Sequence, residues 1–324
     1  MAVTVLLGKA GSGKSTQCYR EIQACAAAGG KALLLVPDQA TYGAERHLAE
    51  HSEGQGFIGT QVVGFSRLAY NVFQERGLAH ASLSELARKI ILQRLLHKGE
   101  KEFSVLQTAA RQPNFADTAG RFLWECLSFC VTPDALRKAA EAIPNPTLSH
   151  KLEDISRLYG AYQDFLADHF GSADDTMTLL AREVGHYSFL QGAHVWVDGF
   201  QWFTPQQMEI LRQMERVTAQ VTITLTIDEE HLEQQRRETA LFHRAYEVYR
   251  DLKTLFPHLE TTKVAKRPDG PLTVFRDAFF RPVPAEMTQP VSALEIWECS
   301  DRDGEIDSVA RKIAALCQPR IFGY

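Results

Sequence analysis

Long apolar runs are absent. No stretch of the 324 residues approaches the roughly 18 consecutive apolar positions of a membrane-spanning helix. The opening run Val3–Leu7 is only strand length, and the amino terminus carries no signal-peptide pattern. Cysteine is scarce. The six residues Cys18, Cys25, Cys126, Cys130, Cys299 and Cys317 are too few and too scattered for a disulfide scaffold. A reducing cytoplasm is the expected compartment. There is no internal repeat, no low-complexity tract, and no HExxH or paired-cysteine zinc spacing among the 11 histidines. Secreted, membrane and disordered classes are set aside on these grounds. What remains is 45% hydrophobic and 23% charged residues, enough for a substantial core. A chain of this length is expected to form one large or two smaller domains. The net charge of −5 decides nothing about a polyanionic partner, which needs only a local basic surface.

Along the chain the pattern changes twice. Val3–Leu7 reads as a strand and is followed by a glycine-rich turn. A helix is predicted from Ser15 to about Ala28, stopped by Gly29-Gly30. Ala32–Val36 reads as a second buried strand ended by Pro37, and Gln61–Val63 as a third. From about Ser82 long amphipathic segments take over, at Leu83–Leu96, Phe115–Cys130 and Leu148–Phe170. Strand patterns return at Val195–Asp198 and Val221–Ile227. This order predicts an α/β fold with a parallel sheet, interrupted by a helical insertion. The proline-rich stretch Arg281–Pro290 reads as a linker, Leu294–Trp297 as a fresh strand and Asp307–Leu316 as a helix.

The sharpest chemical signal is Gly8-Lys9-Ala10-Gly11-Ser12-Gly13-Lys14-Ser15, a full G-x-x-x-x-G-K-[ST] match between a strand and a helix. Glycines let such a loop close around phosphate oxygens with its N–H groups inward, and the helix N-terminus adds its positive end. Gly8 through Ser15, with Thr16 beside them, are therefore the candidate nucleotide-binding residues. Lys14 supplies a charge to the β/γ-phosphates, and the Ser15 hydroxyl is a candidate Mg²⁺ ligand. A second carboxylate at another strand end is needed for the metal shell. Asp198, closing Val195-Trp196-Val197, fits that place. Its alternative role is a strand-end turn former. Motor ATPases commonly place a second acid next to this carboxylate, to orient or deprotonate the attacking water. Here that position is Gly199, so ATP binding without efficient hydrolysis is expected. Glu209, a distant alternative base, falls in a helical pattern and reads as surface.

These motifs carry a resemblance. GKAGSGKS (8–15), LLLVPDQATY (33–42), VVGFSRLAY (62–70), VWVDGFQWFTPQQMEIL (195–211), ITLTID (223–228) and SDRDGEIDSVARKIAAL (300–316) occur in this order. The sequence resembles the N-terminal part of the B subunit of bacterial ATP-dependent helicase/deoxyribonuclease, of the AddAB (RexAB) type. The resemblance implies a superfamily-1-like fold. Residues 1–80 and 190–290 would form a RecA-like P-loop domain, 81–189 a helical insertion and 291–324 the beginning of a second RecA-like domain. It further implies ATP and Mg²⁺, DNA in single-stranded form and at duplex ends, an A subunit as heterodimer partner, and a role in double-strand break repair and recombination. The motor half of this family's B subunit reads DNA but has lost motor activity. Gln39, Tyr42, Phe65, Ser66 and Arg67 are the candidate DNA contacts, since aromatic faces can stack on bases while hydroxyls and amides meet phosphates.

Family members are much longer and end in a nuclease domain with an iron–sulfur cluster. Neither that nuclease nor that cluster is expected here, because the cysteine spacing is wrong and Cys126 and Cys130 read as core packing. Asp301-Arg302-Asp303 falls where the second motor domain would begin rather than in a nuclease cluster. The rival reading is a free-standing P-loop phosphotransferase acting on a small metabolite through Lys14 and Asp198. A structural scaffold with a vestigial loop is the third.

Overall fold

The computed structural model describes residues 2–50, 59–78, 83–112, 114–170, 175–229, 232–264 and 294–317. Its strands are β1 (Ala2–Gly8), β2 (Ala32–Leu35), β3 (Thr60–Val63), β4 (His194–Val197), β5 (Gln220–Thr226) and β6 (Glu260–Lys263). They form one six-stranded sheet in the order β3-β2-β4-β5-β1-β6, and every neighbouring pair is parallel. Strands buried on both faces should be apolar throughout, and Leu33, Leu34 and Leu35 are each fully buried. Each such side chain contributes about 2 kcal/mol of burial free energy.

Alternation along the strands divides the core. Val3, Val5 and Leu7 face one side, and Leu6 the other. Leu6, Leu34, Val36 and Trp196 pack against Cys18 and Ile22 of α1 (Lys14–Ala27) and Ala44 and Leu48 of α2 (Thr41–Glu50). The opposite face packs against α3 (Phe65–Arg76), and against three helices from later in the chain. Between them in sequence come α4 (Glu85–Gly99), α5 (Gln107–Ala110), α6 (Phe115–Ser128), α7 (Pro133–Ala142) and α8 (Pro146–Phe170). The three that cover the sheet are α9 (Thr176–Glu183), α10 (Pro205–Glu215) and α11 (His243–Leu255). The result is an α/β arrangement with helices on both faces of a parallel sheet.

Helices α4 to α8 build a separate apolar cluster around Leu92, Leu96, Leu123, Leu158 and Tyr159. Asp154 of α8 lies inside this block with no solvent exposure. Its two oxygens accept from the backbone N–H groups of Ser104, Val105 and Leu106 at 3.0, 2.8 and 3.0 Å. A buried charge is tolerated when donors surround it in this way.

The chain divides into two compact units, residues 1–266 and 267–324. In the second, α12 (Arg302–Cys317) follows an extended segment. The carboxylate of Asp301 accepts from the N–H of Gly304 at 2.7 Å, so it caps the helix.

Several sequence expectations need correction. The segment Leu294–Trp297 has the apolar alternation of a strand, yet it is not in any strand among the described residues. Alternation supplies a face, whereas a strand also needs a hydrogen-bonding neighbour. Strand β6 has no sequence signal because Glu-Thr-Thr-Lys is polar and exposed throughout. Cys126 is buried in the helical cluster, but Cys130 is not core. Helix α6 ends at Ser128, and Cys130 sits beyond it, exposed, at φ 56°. The proposed linker at 281–290 lies outside the described residues.

Candidate functional site at the carboxyl edge of the sheet

Because all strands run parallel, their carboxyl ends lie along one edge, where α/β folds place their ligands. The loop Gly8–Lys14 leaves β1 at this edge and enters α1 directly. Gly11 and Gly13 have φ of 76° and 97°, a backbone that residues with a Cβ rarely adopt. Gly8 has a different reason. A Cβ there would collide with the Ser12 side chain, which folds back over it and would have to shift. Ser12 N–H donates to Lys9 O at 3.1 Å and closes the turn.

Lys14 is buried, with only 7% of its surface exposed. Its ammonium donates to the carbonyls of Gly8 at 2.6 Å and Lys9 at 3.0 Å. Burial lowers its pKa from the usual lysine value, opposed by the negative charges of Asp198 and Glu229. Behind it Cys18 is enclosed and its thiol is pushed up, by burial first and by Asp198 second. Ser15 and Ala10 are exposed at the mouth of the loop, while Thr16 is half-buried. Lys9 reaches across to Asp228 beyond β5 at 3.4 Å.

Asp198 stands one residue past β4, and its N–H donates to Leu35 O at 3.0 Å, so the strand's ladder fixes it. It is 7% exposed and accepts a short hydrogen bond from the Thr224 hydroxyl of β5. The next residue, Gly199, adopts φ 82°, and a Cβ there would meet Pro37 Cδ at 3.4 Å. The negative charges of Asp198 and Glu229 both oppose the lowering of the Lys14 pKa by burial. The strand pattern points to the first but not to the second, which sits in a run of acids that resembles a solvated loop. Glu229 is 6% exposed. Glu209 on α10 is bound to Arg212 at 2.7 Å and to Gln213 at 2.6 Å, which holds it to the helix surface.

The neighbouring loops after β2 and β3 are joined by Asp38. Its carboxylate accepts from the Ser66 hydroxyl at 2.8 Å and lies so close to Gly64 that any side chain there would collide with it. Gln39, Tyr42 and Arg67 are exposed, with Tyr42 at 74% and the Arg67 guanidinium 5.7 Å from the Tyr70 ring centre. Phe65 departs from the sequence expectation. It is 5% exposed in the sheet core, edge-on to Phe200 with ring centres 5.6 Å apart, and offers no face to a base. Trp202, 53% exposed on the loop after Asp198, joins the candidates only with the structure; an aromatic ring left in solvent at this edge is the signal. Among the described residues no group of three or more His, Cys, Asp or Glu side chains could hold a metal ion. No described helix is long and apolar enough to cross a membrane.

Comparison with known proteins agrees with this geometry in extent. The family model described as "ADDB, N-terminal" matches residues 5–273. The chain is 34% identical over 342 residues to the B subunit of the ATP-dependent helicase/deoxyribonuclease of Pelotomaculum thermopropionicum, covering 100% of this chain and 30% of the relative. It is 32% identical over 336 residues to the protein of that name from Desulforamulus reducens, covering 98% and 29% respectively. With the Bacillus subtilis protein the identity is 30% over 342 residues, covering 100% and 29%. The chain therefore spans about three-tenths of the length of these relatives. On the family match and these identities, the chain belongs to the AddB N-terminal family.

Proposed function

We propose that the chain is the ATP-binding, DNA-contacting amino-terminal module of a helicase–nuclease B subunit that acts in double-strand break repair and recombination in the cytoplasm. In this reading residues 1–80 and 190–290 form a RecA-like P-loop domain, 81–189 are a helical insertion and 291–324 begin a second RecA-like domain. The observation that carries it is the glycine loop wrapped over a buried Lys14, with Asp198 held at the end of β4. Residues Gly8–Thr16 cradle the phosphates. Ser15 and Asp198 hold the Mg²⁺ that accompanies ATP. The fit rests on the donor chemistry of this pair, a carboxylate and a hydroxyl, the hard oxygen ligands that a metal accompanying a triphosphate requires. Gly199 in place of an acid makes hydrolysis slow.

The exposed residues Gln39, Tyr42 and Arg67, with Trp202, form the DNA-facing edge, where rings stack on bases and Arg67 meets phosphate. Ser66 belongs to this edge through its bond to Asp38. The A subunit is the heterodimer partner. Family membership favours this reading over a free-standing phosphotransferase.

A fluorescent ATP analogue tests it. Binding should require Lys14, and Asp198→Asn should remove most of its Mg²⁺ dependence. A single-stranded oligonucleotide should bind more weakly to Arg67→Ala and Trp202→Ala. Nucleotide binding unaffected by Lys14→Ala, or turnover stimulated by a metabolite and not by DNA, overturns the reading.

A further inference from the structure

Four buried side-chain atoms have no hydrogen-bond partner among the described residues: Gln23 Nε2, Thr60 Oγ1, Thr218 Oγ1 and Glu229 Oε2. Only the last belongs to an acid. A lone buried hydroxyl is a modest loss, but leaving a carboxylate oxygen buried and unpaired costs several times more. Each such group calls for its own account, in strain, in a water or ion, or in chemistry.

The position of Glu229 is specific. It follows β5, which lies between β1, the strand that carries the glycine loop, and β4, the strand that carries Asp198. Two attachments fix this segment against the loop. Ile227 N–H donates to Gly8 O at 3.2 Å, and Asp228 pairs with Lys9 at 3.4 Å. Glu229 comes next, enclosed and electrostatically coupled to the Lys14 ammonium.

We propose that Glu229 is the carboxylate that holds and activates the hydrolytic water at this site, the work that residue 199 cannot do as a glycine. This rests on the reading of the loop as an ATP site. In the step, the water oxygen bonds to the terminal phosphorus as the bond from phosphorus to the bridging oxygen breaks. ADP leaves with that electron pair. The water's proton passes to the Glu229 carboxylate and from there to solvent. No further reactant is needed. Turnover is slow because the acid enters from β5 rather than from beside Asp198.

The test uses the full chain in excess over ATP, with phosphate release followed through a single turnover and ATP and ADP affinities measured in parallel. Glu229→Gln should lower phosphate release by about 100-fold or more. The same change removes a negative charge beside the terminal phosphate, so preference for ATP over ADP should rise by about 3- to 10-fold. Glu229→Met, an apolar side chain of similar length, should give the same two results with a cooperative melt. Release at the unmodified rate by Glu229→Gln overturns the proposal. So does an unmodified chain that binds ATP but releases no phosphate above background, and in that case the binding reading stands. Lost turnover with an unchanged ATP-to-ADP ratio, or with a lowered melting temperature in both variants, makes Glu229 structural and also overturns it. An unmodified chain that does not bind ATP removes both readings together.

Discussion

The helical block and the carboxyl edge of the sheet each enclose an acid, and they treat it differently. In the block, Asp154 is fully buried and three backbone N–H groups converge on it. At the sheet edge, Glu229 is nearly as enclosed but has an oxygen with no partner among the described residues. The first is an internal cap that fixes the turn at Ser104–Leu106 against α8. The second is an acceptor left over after folding is complete. Burial alone therefore does not separate a structural acid from a chemical one; the state of its lone pairs does.

The largest effect should come from the satisfied acid. Asp154→Ala removes three hydrogen bonds to a buried carboxylate and leaves the enclosed Leu106 N–H without its acceptor; bonds to charged groups contribute about 1.5–3 kcal/mol each, so the chain should lose about 3 kcal/mol or more in urea unfolding. Nucleotide affinity of the molecules that remain folded should not change. A loss below about 1 kcal/mol would dissolve the contrast with Glu229.

Lys14→Ala should behave in the opposite way. Losing a charged donor to phosphate costs about 1.5–3 kcal/mol, roughly 10- to 150-fold in ATP affinity by titration. Unfolding should move little, because the removed charge is a desolvated one.

Gly199→Ala tests the backbone between these extremes. A Cβ in the left-handed region costs about 1–2 kcal/mol, read as a lower melting temperature with ATP affinity kept. Gly199→Glu carries the same strain and should not produce a fast ATPase, even though it restores the acid.

The smallest effect is on pH dependence. Because burial lowers the Lys14 pKa, the folded chain binds fewer protons than the unfolded chain between that lowered value and the ordinary 10.5. This group's contribution to stability therefore rises with pH across that interval. ATP affinity falls over the same interval, as the amine loses the charge that attracts phosphate. A drop of about threefold or more in alkaline titrations, absent in Lys14→Met, is the expected signature.

The parts legible in the sequence are those where one residue type has one physical use. Gly11 and Gly13 fall where the chain turns from β1 into α1, and both take the positive φ that their residue type allows. The apolar run of β2 and the apolar positions of β1, β4 and β5 are buried, as in a parallel sheet covered on both faces. Gly29-Gly30 ends α1 as its residue types predict: Gly29 takes φ 75°, and Gly30 N–H returns to Cys25 O at 2.9 Å. Elsewhere the signal depends on partners that no local pattern carries. Phe65 has the chemistry of a stacking ring, but Phe200 covers it. Glu229 has the neighbours of a solvated acid, but the segment after β5 folds against the loop and encloses it. Strand β6 has no apolar pattern at all, and Leu294–Trp297 has the pattern but joins no strand among the described residues.

The placement of β1 has a consequence for how the chain is made. β1 precedes the other strands of the sheet in the chain, yet it bonds only to β5 and β6, the two that come last among the described strands. At about 5–20 residues per second, the roughly 210 residues between β1 and β5 take about 10–40 s to emerge. During that time α4 to α8, whose contacts are local, can assemble, while Val3, Val5 and Leu7 have no sheet to enter. Nascent chains stalled before residue 220 should therefore expose β1 to chaperones and proteases, and those released after residue 264 should shield it. The glycine loop after β1, made before most of the sheet, is therefore among the last parts of it to acquire its shape.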